Sequence, residues 1–197
     1  MSASRTTRLI LASSSPYRRA LLERLGVHFD CVAPAIDESR QDGESPRALC
    51  ERLARTKARA VTERFPEALV IGSDQLAVRG HEILGKPGTE PCCVQQLLDS
   101  SGRRLQFLTA VHVARGRSGQ SETHVDETFV VFRTLVRAEI TRYVAREQPL
   151  DCAGGFKAES LGIALFDRIE SNDPTALTGL PLIWLCGALR RAGLEVP

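Results

Sequence analysis

The chain has 197 residues, 43% hydrophobic and 25% charged, enough to bury a core and to form one domain over 1–197. Its formal net charge is only +2, with acids and bases interleaved, which argues against a dedicated nucleic-acid binder. No apolar stretch approaches the ~20 residues of a membrane span, none suits a signal peptide, and the six cysteines hold no CxxC pair, so reduced thiols in a cytoplasmic protein are expected.

In chain order, Leu9–Ala12 reads as a short buried strand that stops at Ser13-Ser14-Ser15-Pro16. Ser15 suits an N-cap and Pro16 the first turn of a helix. That helix runs to about Leu25, with Ala20, Leu21 and Leu25 on one face and Gly26 as its stop. The apolar run 32–36 leads into Asp37-Glu38. A second helix covers 45–65, capped by Ser45-Pro46, with Leu49, Leu53, Lys57 and Ala60 or Val61 at helical spacing. Residues 69–72 read as a buried strand ending in Ser73-Asp74-Gln75. Val78 and Ile83-Leu84 flank a turn at Arg79-Gly80-His81, which predicts a small hairpin.

A helix follows over 90–99. Leu105, Phe107, Thr109, Val111 and Val113 alternate with their neighbours, as do Val125 and Glu127. With the turn Gly116-Arg117-Ser118-Gly119-Gln120 between them, they predict two long antiparallel strands. An amphipathic helix at 137–146, a strand at 162–169 and a closing helix at 180–192 complete the chain. Strand–helix alternation followed by a meander implies an α/β fold with a mixed sheet flanked by helices.

Several residues carry chemistry. The strand–serine–proline–helix turn aims N–H groups and hydroxyls from a helix N-terminus, a ready anion site, although no P-loop glycine–lysine pattern is present. Arg18 and Arg19 put positive charge where it opposes the helix dipole; a bound phosphate would supply the partner they need, and an ordinary serine cap with solvated arginines is the alternative. Asp37-Glu38 and Asp74 follow apolar runs. Carboxylates at the carboxyl edges of buried strands face the crevice where open α/β sheets take ligands, and two or three can hold a hard divalent cation; capping of turns is the alternative.

Of the 26 basic residues only Lys57, Lys86 and Lys157 are lysine, which suits a compact ammonium at those places. Lys57, the rigid Gly85-Lys86-Pro87 turn and the acids together point to a polyanion site with a metal. The histidines at 28, 81, 112 and 124 lack ligand spacing. Trp184 lies among Leu180, Ile183 and Leu185 and reads as core or as a dimer contact.

The segments LILASSSPYRRALLERLG (9–26), DES (37–39), RLARTKARAV (52–61), VIGSDQ (70–75), GKP (85–87), LDCAGGFKAESLGI (150–163) and GLPLI (179–183) occur in that order. In these the chain resembles the Maf family of nucleotide pyrophosphatases over nearly its whole length. The resemblance implies an elongated mixed sheet, two lobes with an active-site cleft between them, and a homodimer. It implies release of diphosphate from nucleoside triphosphates with a divalent metal cation, Mg²⁺ or Mn²⁺, an activity suited to clearing modified nucleotides.

Carried over residue by residue, the resemblance makes Asp74 the acceptor of the attacking water's proton. It assigns Ser13, Arg18, Lys57 and Lys86 to phosphate binding and places Glu38 near metal and phosphate. Asp74, Lys57 and Lys86 are then the catalytic set, and Glu38 and Asp74 the metal pair. Members acting on dTTP and UTP tend to carry arginine after the first proline, threonine after the strand's aspartate and glutamine in the later loop. Tyr17, Gln75 and Glu159 stand there in this chain and resemble the subgroup acting on 7-methyl-GTP, where tryptophan is usual at the first position.

Physical chemistry agrees with that substrate. Methylation at N7 makes guanine cationic, and an aromatic face such as Tyr17 then gains ~0.5–2 kcal/mol. A carboxylate such as Glu159 accepts from both N1–H and the 2-amino group. Lys157, beside Phe156, is placed near base or phosphates. A nucleotide-binding regulator of cell division, and a pyrophosphatase with another nucleotide preference, remain the alternatives.

Overall fold

The computed structural model describes residues 7–117 and 119–196; Ser118 of the predicted 116–120 turn lies outside them. Strand β1 (Leu9–Ala12) is buried at every residue, as its unbroken apolar run requires. The chain leaves it through Ser13-Ser14, and Ser15 caps helix α1 (Pro16–Glu23), its Oγ accepting from the Arg18 amide at 3.4 Å. Helix α2 (Pro46–Thr62) is capped in the same way by Ser45 and buries Leu49, Leu53, Lys57 and Val61 along one face.

One seven-stranded sheet organises the rest. Strands β2 (Asp30–Cys31), β1 and β3 (Leu69–Arg79) run parallel, and β5 (Arg104–Arg115), β6 (Ser121–Phe132) and β7 (Phe166–Glu170) continue it antiparallel. The order is β2-β1-β3-β5-β6-β7, and β4 (Glu82–Leu84) also pairs with β3. Two lobes follow from where the helices pack. At one end Leu11, Ile71 and Val111 meet Leu21 and Leu22 of α1 and Leu185 and Leu189 of α5 (Leu182–Arg191). At the other, Phe107 and Phe132 meet Leu97 of α3 (Glu90–Ser100), Ile140 and Tyr143 of α4 (Arg137–Glu147), and Phe156. Among the described residues no helix is long and apolar enough to cross a membrane.

Four expectations need correction. The run 32–36 is not a strand: pairing with β1 ends at Leu11↔Cys31, and Pro34 lacks the N–H a ladder would use. Strand β3 does not stop before Ser73-Asp74-Gln75 but carries them in its middle, because β5 pairs with it continuously from Leu69↔Arg115 to Val78↔Gln106. Residues 161–165 form a 3₁₀ turn before β7, since the chain folds back there and the Gly162 amide donates to Lys157 O at 3.1 Å. Helix α5 begins only at Leu182, after Pro181, with Asp173 Oδ2 accepting from the Ile183 amide at 2.7 Å. Trp184 packs against the first lobe's core and stacks on His124 with centroids 5.2 Å apart.

Gly72 sets the distance between α2 and β3. A Cβ there would lie 2.2 Å from Ala54 O and 2.9 Å from Ala58 Cβ, so only glycine lets the helix backbone approach the strand this closely. Gly72→Ala is therefore expected to destabilise the protein by about 3 kcal/mol, read as a lower urea midpoint. A midpoint equal to that of the parent would show that α2 withdraws freely.

Candidate active site

The cleft arises at a break in the pairing along one edge of β3. There β1 covers residues only to Gly72 and β4 covers them only from Ala77, leaving Ser73, Asp74, Gln75 and Leu76 without a strand on that edge, while β5 pairs with them on the other. This opens about 17 Å of strand edge between Gly72 and Ala77. Two loops enter the break from opposite ends. Ser13 follows the last β1 residue, opposite Gly72, and Gly85-Lys86 follow Leu84, opposite Ala77. The resulting cleft has a volume of about 890 Å³, and Ser13, Tyr17, Arg18, Glu38, Lys57, Asp74, Gln75, Lys86 and Glu159 all line it.

Strand alternation divides the labour inside the break. Asp74 faces α2, where its Oδ1 accepts from Lys57 Nζ at 2.6 Å. The same ammonium lies 2.9 Å from Glu38 Oε1. Lys57 and Asp74 are each only 6% exposed, so the pair is screened little by water. Burial pushes the Asp74 carboxyl above the usual aspartate range, and Lys57 and then Arg18 oppose that rise. Arg18, partly exposed, donates from Nε to Gly179 O at 3.1 Å. Burial lowers its guanidinium from the ordinary value, with Asp74 the strongest opposing influence, yet arginine stays charged.

On the other face of β3, Ser73 Oγ donates to Gly179 O at 2.9 Å. Gln75 Nε2 donates to Thr109 Oγ1 and to the carbonyls of Ala176 and Leu177 at 2.9–3.0 Å. Gln75 thus borders the cleft, but its amide nitrogen is committed to holding the 176–178 turn. At the start of α1 the Ser15 and Arg18 amides are also taken, by Ser13 Oγ and Ser15 Oγ. The anion-attracting groups left are therefore chiefly side chains. Lys86 is exposed and has no ion-pair partner among the described residues; its loop is tethered by Gln96 Nε2 to Gly85 O at 3.1 Å and by the Gly88 amide to Leu150 O at 3.0 Å.

Three candidates lie elsewhere. Asp37 caps its own turn, accepting from the Ser39 amide at 2.8 Å and hydroxyl at 2.6 Å, and does not line the cleft. Arg19 pairs with Glu23 one turn on, in solvent. Lys157 Nζ donates to Glu147 O at 3.0 Å at the end of α4, a brace within the second lobe. Sequence reasoning missed Arg40, which lines the cleft and donates twice to Glu44 O at 2.9 and 2.6 Å, and the neighbouring Asp151 and Cys152. Among so many arginines nothing singled out Arg40. Asp151 and Cys152 stand within the LDCAGGFKAESLGI segment (150–163), where only Lys157 and Glu159 carry an assigned role.

Fold and site together define a class: mixed α/β proteins with a cleft between two lobes, lined by cationic side chains around a buried carboxylate. The chain belongs to the Maf family, whose model, described as Maf-like protein, matches residues 8–192. It is similar to a protein of Alcanivorax borkumensis described as 7-methyl-GTP pyrophosphatase, with 50% identity over 192 residues and 98% of each chain covered. Among solved structures it resembles the Staphylococcus aureus Ham1 protein, with a TM-score of 0.53 at 13% identity, covering 94% of this chain and 100% of that one. That likeness concerns the fold.

Proposed function

We propose that this chain, acting as one domain over 1–197, hydrolyses 7-methyl-GTP to 7-methyl-GMP and diphosphate by attack of water on the α phosphorus. The observation that carries the reading is the Lys57 ammonium between the Asp74 and Glu38 carboxylates, in a cleft lined also by Arg18, Lys86, Tyr17 and Glu159. The 50% identical relative described as a 7-methyl-GTP pyrophosphatase supports the same substrate.

The chemistry follows from the charges. Water oxygen bonds to the α phosphorus, its proton passes to Asp74, and the α–β bridging bond breaks with its electron pair leaving on diphosphate. Desolvation makes Asp74 a stronger base, while Lys57 keeps it ionised and ready. Ser13 and the cations Arg18, Lys57 and Lys86 hold the phosphate oxygens and take up charge as it develops. Among the described residues no cluster of three or more His, Cys, Asp or Glu side chains could hold a metal by itself. Glu38 and Asp74 nevertheless fit a hard cation bound in the Mg²⁺ manner, by one or two carboxylates together with substrate phosphates. Mg²⁺ or Mn²⁺ held there would neutralise triphosphate charge.

At the other end of the cleft Tyr17 offers a ring to the cationic base and Glu159 a carboxylate to its N1–H and 2-amino edge. Diphosphate release, measured over normal and methylated nucleotides with and without Mg²⁺, is expected to be fastest for 7-methyl-GTP and to need the metal. Tyr17→Arg combined with Glu159→Gln should lower the preference for 7-methyl-GTP over UTP by about 10- to 100-fold. Gln75 is left intact because it holds the 176–178 turn. An unchanged ranking of nucleotides in the double variant would refute this assignment of the base site.

A further inference from the structure

Glu159 cannot by itself separate 7-methyl-GTP from GTP. Both bases present N1–H and a 2-amino group, so the count of hydrogen bonds to a carboxylate on that edge does not separate them. What methylation adds is positive charge, to which the Tyr17 face responds and to which any further carboxylate beside that ring would respond as well.

Asp151 is placed to do so. Cys152 Sγ lies 3.6 Å from the Tyr17 hydroxyl and 3.5 Å from Asp151 Oδ1. A thiol has one proton, so it can donate to the carboxylate while the phenol donates to sulfur. Burial pushes the thiol up to about 11, which keeps it protonated at neutral pH. The contact ties Tyr17 of α1 in one lobe to the loop after α4 in the other. It holds the ring by its hydroxyl, and Tyr17 remains partly exposed in the lining of the cleft. Burial raises the Tyr17 phenol, Cys152 raises it next, and Asp151 and then Glu159 add to the rise. Both are exposed, both line the cleft, and neither has an ion-pair partner among the described residues.

We propose that Asp151 is a second specificity-determining residue, whose carboxylate, joined to Tyr17 through Cys152, makes this end of the cleft favour a cationic N7-alkylated purine nucleotide over its neutral parent. The inference rests on the proposed 7-methyl-GTP activity and names a group that, beside Tyr17, reads the methyl's charge. An aromatic face flanked by unneutralised acids is the chemistry that selects alkylated cations. Exposure limits the size of the effect.

The test compares kcat/KM for diphosphate release from 7-methyl-GTP and from GTP, at equal Mg²⁺, in the parent, Asp151→Asn and Asp151→Glu. The parent should prefer 7-methyl-GTP. Asp151→Asn should reduce that ratio by about two- to fivefold, Asp151→Glu should restore it, and added salt should narrow the parent's ratio. A purely structural role would lower both nucleotides together; an unchanged ratio in Asp151→Asn, with the parent's preference present, overturns the inference alone. A parent that cleaves both nucleotides equally overturns the substrate reading and the inference with it.

Discussion

Asp74→Asn is expected to lower kcat for diphosphate release by about 10²–10⁴-fold while the nucleotide still binds. The substitution is nearly isosteric and keeps an oxygen toward Lys57 Nζ, now 2.6 Å away, but it removes the group able to take the water's proton. Arg18 and Lys86 remain to hold phosphates, so binding measured by calorimetry should survive. The buried position makes the result informative, because bulk water cannot easily stand in for a base that is 6% exposed. Unchanged turnover would remove Asp74 from the chemistry.

Lys57→Met should cut kcat/KM by about 10²–10³-fold and displace the acidic limb of the pH profile upward. The sign follows from the opposing influences on Asp74. Burial raises its pKa and Lys57 is the largest force holding it down, so losing the ammonium raises it further. In the proposed reaction the deprotonated form is the base, so activity is expected to fail at a higher pH in the variant than in the parent. Stability shifts in the same direction. Breaking a buried pair costs about 3–5 kcal/mol while Asp74 is charged. A carboxyl whose folded pKa lies above its unfolded value binds protons better when folded, so stability falls as pH rises through that window. Melting curves at acidic and neutral pH should show the variant's deficit shrinking on acidification. A limb and a deficit that stay fixed would place Lys57 outside Asp74's influence.

Where one physical signal dominated, the sequence was legible. Serine–proline caps mark the starts of α1 and α2, and period-two alternation marks the two flanks of β5 and residues 126–132 of β6. The centre of β3 was misread for an instructive reason. Ser73, Asp74 and Gln75 are polar and look like a strand's end, yet they are polar because they face a cleft and its supporting turn while β5 still pairs with them. Residues 162–165 were misread as strand because an apolar run has no period to separate a 3₁₀ turn from a strand.

The site was legible as a set of residue types and matched motifs, but not as a geometry. Lys57 and Asp74 are 17 residues apart, and their contact depends on Gly72 admitting α2. Lys157, by contrast, sits in a matched motif and turned to Glu147, showing that a motif carries some residues for the sake of its own loop. Asp151 was passed over because an acid in a loop carries no signal until its neighbours in space are known.

One carbonyl links segments far apart along the polypeptide. Gly179 O receives both Arg18, 161 positions earlier, and Ser73, 106 positions earlier, while the adjoining turn receives Gln75. Emerging from the ribosome, the growing product exposes Asp74 and both lysines of the site long before that acceptor exists. Until it arrives, the guanidinium has no anchor and the floor beneath the acid has no support. A copy that stops before this turn therefore lacks the acceptors that fix Arg18, Ser73 and Gln75 in place.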